Sequence, residues 1–168
     1  MEDKDKLLND LAAREAIRDC LARYCRGIDR LEPEVIKSAY WPDADCQQLD
    51  FHGNPDQLVE WALPQIRLLD IIVHQLGQSV IRLSGDKAWV ETVFSSYQRV
   101  KLEGVAHDFM GSGRYLDVFE QRNGEWRLAK RLVVVDVTRS LTNPDALADT
   151  RMELEKRFPD DVSYSWPG

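Results

Sequence analysis

The chain has 168 residues, 43% hydrophobic and 30% charged, with 22 Lys and Arg against 29 Asp and Glu for a net charge of −7. This composition fits one globular domain that buries about two-thirds of its unfolded surface, and it excludes low-complexity and disordered classes. The acidic balance and scattered arginines argue against a nucleic-acid partner; the charged start Met1 to Lys6, with no run near the roughly 20 apolar residues of a membrane span, points to a cytoplasmic protein with no membrane partner.

The first element is an amphipathic helix from about Leu7 to Ile28. Leu7, Leu11, Ile17, Leu21, Tyr24 and Ile28 recur at three- and four-residue intervals, and Arg14, Asp19 and Arg23 fall on the opposite side. Asp29 follows at the margin of the apolar face, in line with Leu21 and Cys25; it points inward if the helix persists, and is otherwise a solvated turn residue. Pro33 opens a short second helix, Glu34 to Tyr40. Tyr40 to Asp45 reads as an exit into a strand or loop, and Phe51 to Asp56 is rich in turn formers. A third helix covers Asp56 to Leu63, either stopping at Pro64 or continuing to Leu69.

The period then changes. Four strands are expected at Asp70 to Leu83, Lys87 to Lys101, His107 to Arg122 and Glu125 to Arg139, with Ser84-Gly85-Asp86 and Asn123-Gly124 as hairpin turns. Gly77, Gly104, Gly111 and Gly113 supply bends or bulges that let a sheet curl. Helices first and a long meander afterwards predict an α+β domain whose curved, mostly antiparallel sheet wraps around the helices. This domain covers residues 1–140. Residues 141–168 form a tail with a short helix, Asp145 to Phe158, that packs on the domain, packs on a partner subunit, or frays.

The candidate chemistry lies in polar residues on apolar elements. His74 shares a strand face with Ile72 and Leu76; it is either a hydrogen-bonded core histidine or a base whose second ring nitrogen is held by a carboxylate. Arg131 shares parity with Val133 and Val135, so its guanidinium must be paired or face a wet cavity. Tyr97 alternates with Val93 and Ser95, and either points a phenol inward or is a packed strand tyrosine. His107 begins the third strand, where it could line a pocket rim, and Asp136 could pair with Arg114 as a structural contact. Cys20, Cys25 and Cys46 have neither CxxC spacing nor nearby histidine pairs, so no disulfide framework and no metal site are expected. GxSxG, GxxxxGK[ST], HExxH and a strand-to-helix GxGxxG are all missing, which argues against nucleotide cofactors.

Six short motifs then combine: Tyr24-Cys25-Arg26-Gly27-Ile28-Asp29, Tyr40-Trp41-Pro42-Asp43-Ala44, His74-Gln75-Leu76-Gly77, Gly85-Asp86-Lys87-Ala88, Gly113-Arg114-Tyr115-Leu116-Asp117 and Gly124-Glu125-Trp126-Arg127. In order and spacing, over about residues 8 to 138, they resemble the SnoaL-like branch of the nuclear transport factor 2-like superfamily. The resemblance implies a cone-shaped α+β barrel of cystatin-like roll type, closed by the N-terminal helices around one deep apolar pocket. It also implies an activity without cofactors, as a dehydratase or other eliminating lyase, an isomerase or a cyclase, on a small hydrophobic, aromatic or polycyclic substrate. Asp29 and His74 match the family's catalytic dyad, Tyr24 a pocket tyrosine, and Arg131 a pocket arginine of the last long strand. Tyr97 falls where members differ. A homo-oligomer, dimer or trimer, is implied as well. The alternative that the same likeness carries is a non-catalytic binding or assembly module, such as a dioxygenase small subunit.

Overall fold

The computed structural model describes residues 2–143, 159, 160 and 164, so the expected C-terminal helix lies outside the described residues. Helix α1 spans Glu2–Arg30. Ile17, Cys20, Leu21, Tyr24, Cys25 and Ile28 form its buried stripe, whereas Leu7 and Leu11, expected in the same stripe, are more than half exposed. Helix α1 ends in a Schellman motif: Leu31 N–H donates to Ile28 O at 3.3 Å and Glu32 N–H to Gly27 O at 2.9 Å, with Leu31 at φ 59° where glycine is the usual choice. This cap holds the last helical turn, including Asp29, in place. A Cβ on Gly27 would lie 2.8 Å from Ile36 N, so α2, Pro33–Ser38, packs this closely because that position has no side chain.

The segment after α2 holds two strands that the sequence left unresolved, β1 (Tyr40–Gln48) and β2 (Phe51–Gly53). Helix α3, Pro55–Ile66, continues past Pro64 and starts at a reciprocal cap: Gln57 N–H donates to Asn54 Oδ1 and Asn54 N–H to Gln57 Oε1, both at 3.0 Å. The long strands are β3 (Ile71–Ser84), β4 (Lys87–Leu102), β5 (Val105–Arg122) and β6 (Glu125–Asn143). They form one open, curved sheet in the order β2-β1-β6-β5-β4-β3, mixed because β1 runs parallel to β6 and otherwise antiparallel as expected. β4 and β5 each run past the predicted ends and meet at Glu103-Gly104, both with positive φ (52° and 83°), as Asn123-Gly124 also has (53° and 84°). Positive φ at both central residues marks the hairpin turn whose twist matches that of the strands.

Bulges decide which side chains face the helices. On β3 the pairing shifts between Leu76 and Ser79, at Gly77, so the inner face passes from Ile72, His74 and Leu76 to Ser79, Ile81 and Leu83. β6 shifts twice, near Ala129 and at Asp136, and its inward residues change from Leu128 to Arg131 and Val133, then to Thr138. The second shift lies against Gly113, where a Cβ would run into Val134 O. Helix α1 covers the free edge of β3, and Arg14 Nη1 donates to Ile81 O at 2.9 Å. No described helix is long and apolar enough to cross a membrane.

All three cysteines are free and buried. Burial pushes the Cys25 and Cys46 thiols up to about 12 and also raises that of Cys20. At pH 8 about one in 10⁴ Cys25 or Cys46 thiols is then ionised, and the thiolate is the reactive form. Native protein mixed with a chromogenic disulfide reagent at pH 8 is expected to release no colour over minutes, and three equivalents once denatured in guanidinium. Prompt release of one or more equivalents from the native protein contradicts this packing.

Candidate active site

The concave face of β3 to β6 and the facing sides of α1 and α3 enclose a cavity of about 450 Å³, within the usual range for small-molecule sites. Its wall is mostly apolar and aromatic, with Tyr24, Trp61, Ile72, Phe94, Phe109 and Tyr115 prominent. Phe94 and Tyr115 are stacked at 4.3 Å between ring centres, with planes 10° apart. The polar lining is uncharged apart from any proton on His74, and includes Gln48, Gln65, Ser96 and Gln98.

His74 is held by Asp29 at two points. The His74 backbone N–H donates to Asp29 Oδ2 at 2.9 Å, and Nδ1 lies 2.6 Å from Oδ1. A carboxylate only accepts, so this network assigns the proton of the neutral ring to Nδ1 and leaves Nε2 as the free acceptor on the cavity side. Both side chains are nearly enclosed, 12% and 13% exposed. Asp29 sits in the last turn of α1, where the helix dipole disfavours negative charge; the two N–H groups of His74 offset that.

The other expected residues separate. Tyr24 lines the cavity, and its hydroxyl donates to Gln48 Oε1 over a long 3.4 Å. Burial pushes that hydroxyl up to about 12 against the pull of Arg131, so it stays protonated at neutral pH. Arg131 does not line the cavity. It is 1% exposed behind Tyr24 and Tyr115, with its guanidinium 4.3 and 4.1 Å from their ring centres. Its Nε and Nη2 donate to Asp117 at 2.8 and 2.7 Å. Burial opposes both charges, but the bidentate geometry is that of an ion pair, and the Asp117 carboxylate holds the guanidinium well above its ordinary value.

Tyr97 takes the opposite face from the cavity. Inward parity on β4 belongs to Phe94, Ser96 and Gln98, so Tyr97 pairs with Val73 and Met110 on the outer side, near Arg99 and Asp108. His107 shares the inner parity of Phe109 and Gly111 but lies beyond the cavity toward the β4–β5 turn, 3.3 Å from Thr142 Oγ1. Asp136 pairs with Arg114 at 3.0 Å, as read from the sequence.

Residues 9–132 match the family model of the SnoaL-like domain. The chain belongs to the SnoaL-like family. Its fold is similar to a hexachlorocyclohexane dehydrochlorinase (TM-score 0.75, 19% identity, 86% of this chain and 99% of that one). It is also similar to a candidate scytalone dehydratase from Novosphingobium aromaticivorans (TM-score 0.70, 20% identity, 91% and 100%). A third likeness is to a cystatin-like protein of unknown function from Nostoc punctiforme (TM-score 0.61, 18% identity, 73% and 90%). No curated protein sequence matches the chain. At these identities the likenesses establish the fold, the α+β cone expected from the sequence.

Within this SnoaL-like cone, several lining residues carried no signal along the chain. Ser96 and Gln98 become visible only once β4 is registered against β3, which puts Ser96 directly opposite His74. Asp117, which ends one of the family-like motifs, does not line the cavity; its partner appears only once β5 is set against β6 and it faces Arg131. Among the described residues no three of His, Cys, Asp and Glu converge as a metal-ligand set.

Proposed function

We propose that the protein is a lyase or isomerase without metal or organic cofactor, acting on a small hydrophobic ring compound by proton abstraction. The observation that carries this reading is the double grip of Asp29 on His74 at the wall of an apolar cavity. Nε2 of His74 takes a proton from a substrate carbon. The electrons of that C–H bond form a new double bond, and a leaving group departs from the neighbouring carbon with its own electron pair, or, in an isomerisation, the proton returns elsewhere. Asp29 fixes the tautomer and balances the imidazolium charge. In this mechanism the Tyr24 hydroxyl, protonated at neutral pH, turns from Gln48 Oε1 to donate to the oxygen or leaving group where negative charge develops. Tyr97, Arg131 and His107 do not line the cavity, so in this mechanism none of them contacts the substrate.

The named activities of two fold relatives, a dehydrochlorinase and a candidate scytalone dehydratase, support the same reaction class. The outer sheet face exposes Val73, Val80, Trp89, Met110 and Val137, and is the surface on which a homo-oligomer, dimer or trimer, would form. The test is incubation of purified protein with hydroxylated and halogenated ring compounds in D2O, with and without EDTA, read by mass spectrometry. Loss of water or hydrogen halide, or deuterium incorporation, in the presence of EDTA is the expected result. Ligands that raise the melting temperature without exchange, elimination or isomerisation would identify a binding module instead.

A further inference from the structure

Four inner-face residues stand side by side across the sheet: His74 on β3 opposes Ser96 on β4, Ser96 opposes Gly111 on β5, and Gly111 opposes Thr138 on β6. All four line the cavity. Neighbouring strands are about 5 Å apart, so this row runs about 15 Å from the base to the far hydroxyl.

Gly111 is the informative member. Gly85, Gly104 and Gly124 have φ of +62°, +83° and +84°, where a side chain is strained; Gly27 and Gly113 meet backbone atoms that a Cβ would strike. Gly111 has neither reason to be glycine. Its φ is not in the left-handed region, and beyond its chain neighbours the one atom within 4 Å of a built Cβ is Ser96 Oγ, at 3.2 Å, on a hydroxyl that can rotate. What the missing side chain leaves is open floor between the Ser96 and Thr138 hydroxyls. Phe94, facing Gly113, borders this floor on one side and Phe109 on the other.

The polar groups around that floor suit an uncharged guest. Among the described residues neither the Ser96 hydroxyl nor the Gln98 amide has a side-chain hydrogen-bond partner, although both line the cavity. No Lys or Arg lines it, and Arg131 is committed to Asp117. A carboxylate or phosphate would lose its hydration there without a fixed counter-charge, and would lie near Asp29.

Resting on the lyase or isomerase reading, we propose that the substrate is an uncharged ring compound bearing a hydroxyl or carbonyl group, lying across the strands over Gly111, with that oxygen bound by Ser96 Oγ beside His74. Ser96 and Gly111 are its specificity determinants. The test uses the full-length His74→Gln protein, which keeps an N–H for Asp29, titrated by calorimetry at pH 7 with 2-naphthol and 2-naphthoate. The naphthol is expected to bind at least tenfold more tightly than the naphthoate. Adding Ser96→Ala is expected to weaken it about 3- to 10-fold, the worth of one hydrogen bond, and Ser96→Thr to restore it. Gly111→Val is expected to weaken it more than tenfold, with Gly111→Ala intermediate; the alanine variant carries this arm if valine does not fold.

No naphthol binding, equal or tighter naphthoate binding, or unchanged affinity in the Ser96→Ala or Gly111→Ala protein overturns the proposal. Because binding is read without the base, the two readings fail separately. Naphthol binding as expected, beside a wild-type protein that converts no ring compound, rejects the lyase or isomerase reading and leaves the binding mode standing.

Discussion

The His74→Gln protein is expected to lose turnover by about 10²- to 10⁴-fold on any substrate found, the range that a positioned general base contributes, with KM changed far less. Glutamine reaches a similar distance and offers Asp29 a donor, so the contact survives while the base does not. Asp29→Asn tests the partner. It keeps an acceptor for the His74 backbone N–H but removes the charge that balances the imidazolium, and is expected to lower kcat at least tenfold with little change in KM. Asp29→Ala adds a stability cost of about 1–3 kcal/mol, because a nearly enclosed N–H loses its acceptor. Since the two side chains work as a unit, the double variant His74→Gln/Asp29→Asn is expected to be no slower than the worse single one. Steady-state kinetics of the four proteins decides this. Multiplicative losses, or wild-type turnover in folded His74→Gln, would remove the dyad from the mechanism.

How much of this was legible along the chain depends on the range of the interaction that fixed each element. The hairpin at Asn123-Gly124 and the stripe from Ile17 to Ile28 are local patterns, and they stand where the sequence placed them. β1 has no local signature: Tyr40 to Gln48 contains Pro42, Asp43 and Asp45, and is a strand because it pairs in parallel with β6, more than 80 residues away, with its register shifting between Tyr40 and Asp45. Tyr97 shows a second limit. Alternation gives two faces but not which one is buried, and the choice was made by His74 meeting Ser96 across the sheet. Bulges at Gly77, Ala129 and Asp136 then switch parity within single strands, so a period of two read along β3 or β6 points the wrong way past each one. The contact of Asp29 with His74 spans 45 residues; the apolar margin of α1 and the strand face of β3 made each a candidate, and the family likeness joined them.

Arg131→Met is expected to lower stability by about 3–5 kcal/mol, or about 6–20 °C in melting midpoint for a chain of this size. The cause lies in what it leaves behind: Asp117, with 0% of its side chain exposed, would keep a carboxylate with no cation. Burial then drives that carboxyl upward, and the sign of the pH dependence follows. A folded-state value above the unfolded one, about 3.9, means that the folded form holds the proton more tightly, so stability is lost as pH rises from that value through the folded one and is regained as pH falls. The deficit of Arg131→Met relative to wild type is therefore expected to be largest near pH 7 and to shrink toward pH 4. The pair itself is costly to bury, and Arg131 Nη1 has no hydrogen-bond partner among the described residues. Replacing both partners, as Arg131→Met/Asp117→Leu, is thus expected to bring the midpoint back to within a few degrees of wild type. Calorimetric melting of the three proteins across pH reads all of this, and a double variant no more stable than the single one would sink it. The restored double also separates two roles for Arg131. Lying behind Tyr24 and Tyr115, it is expected to act as scaffold, so the double variant should keep most of its turnover; a stable but inactive double variant would make Arg131 the substrate contact that the family likeness implies.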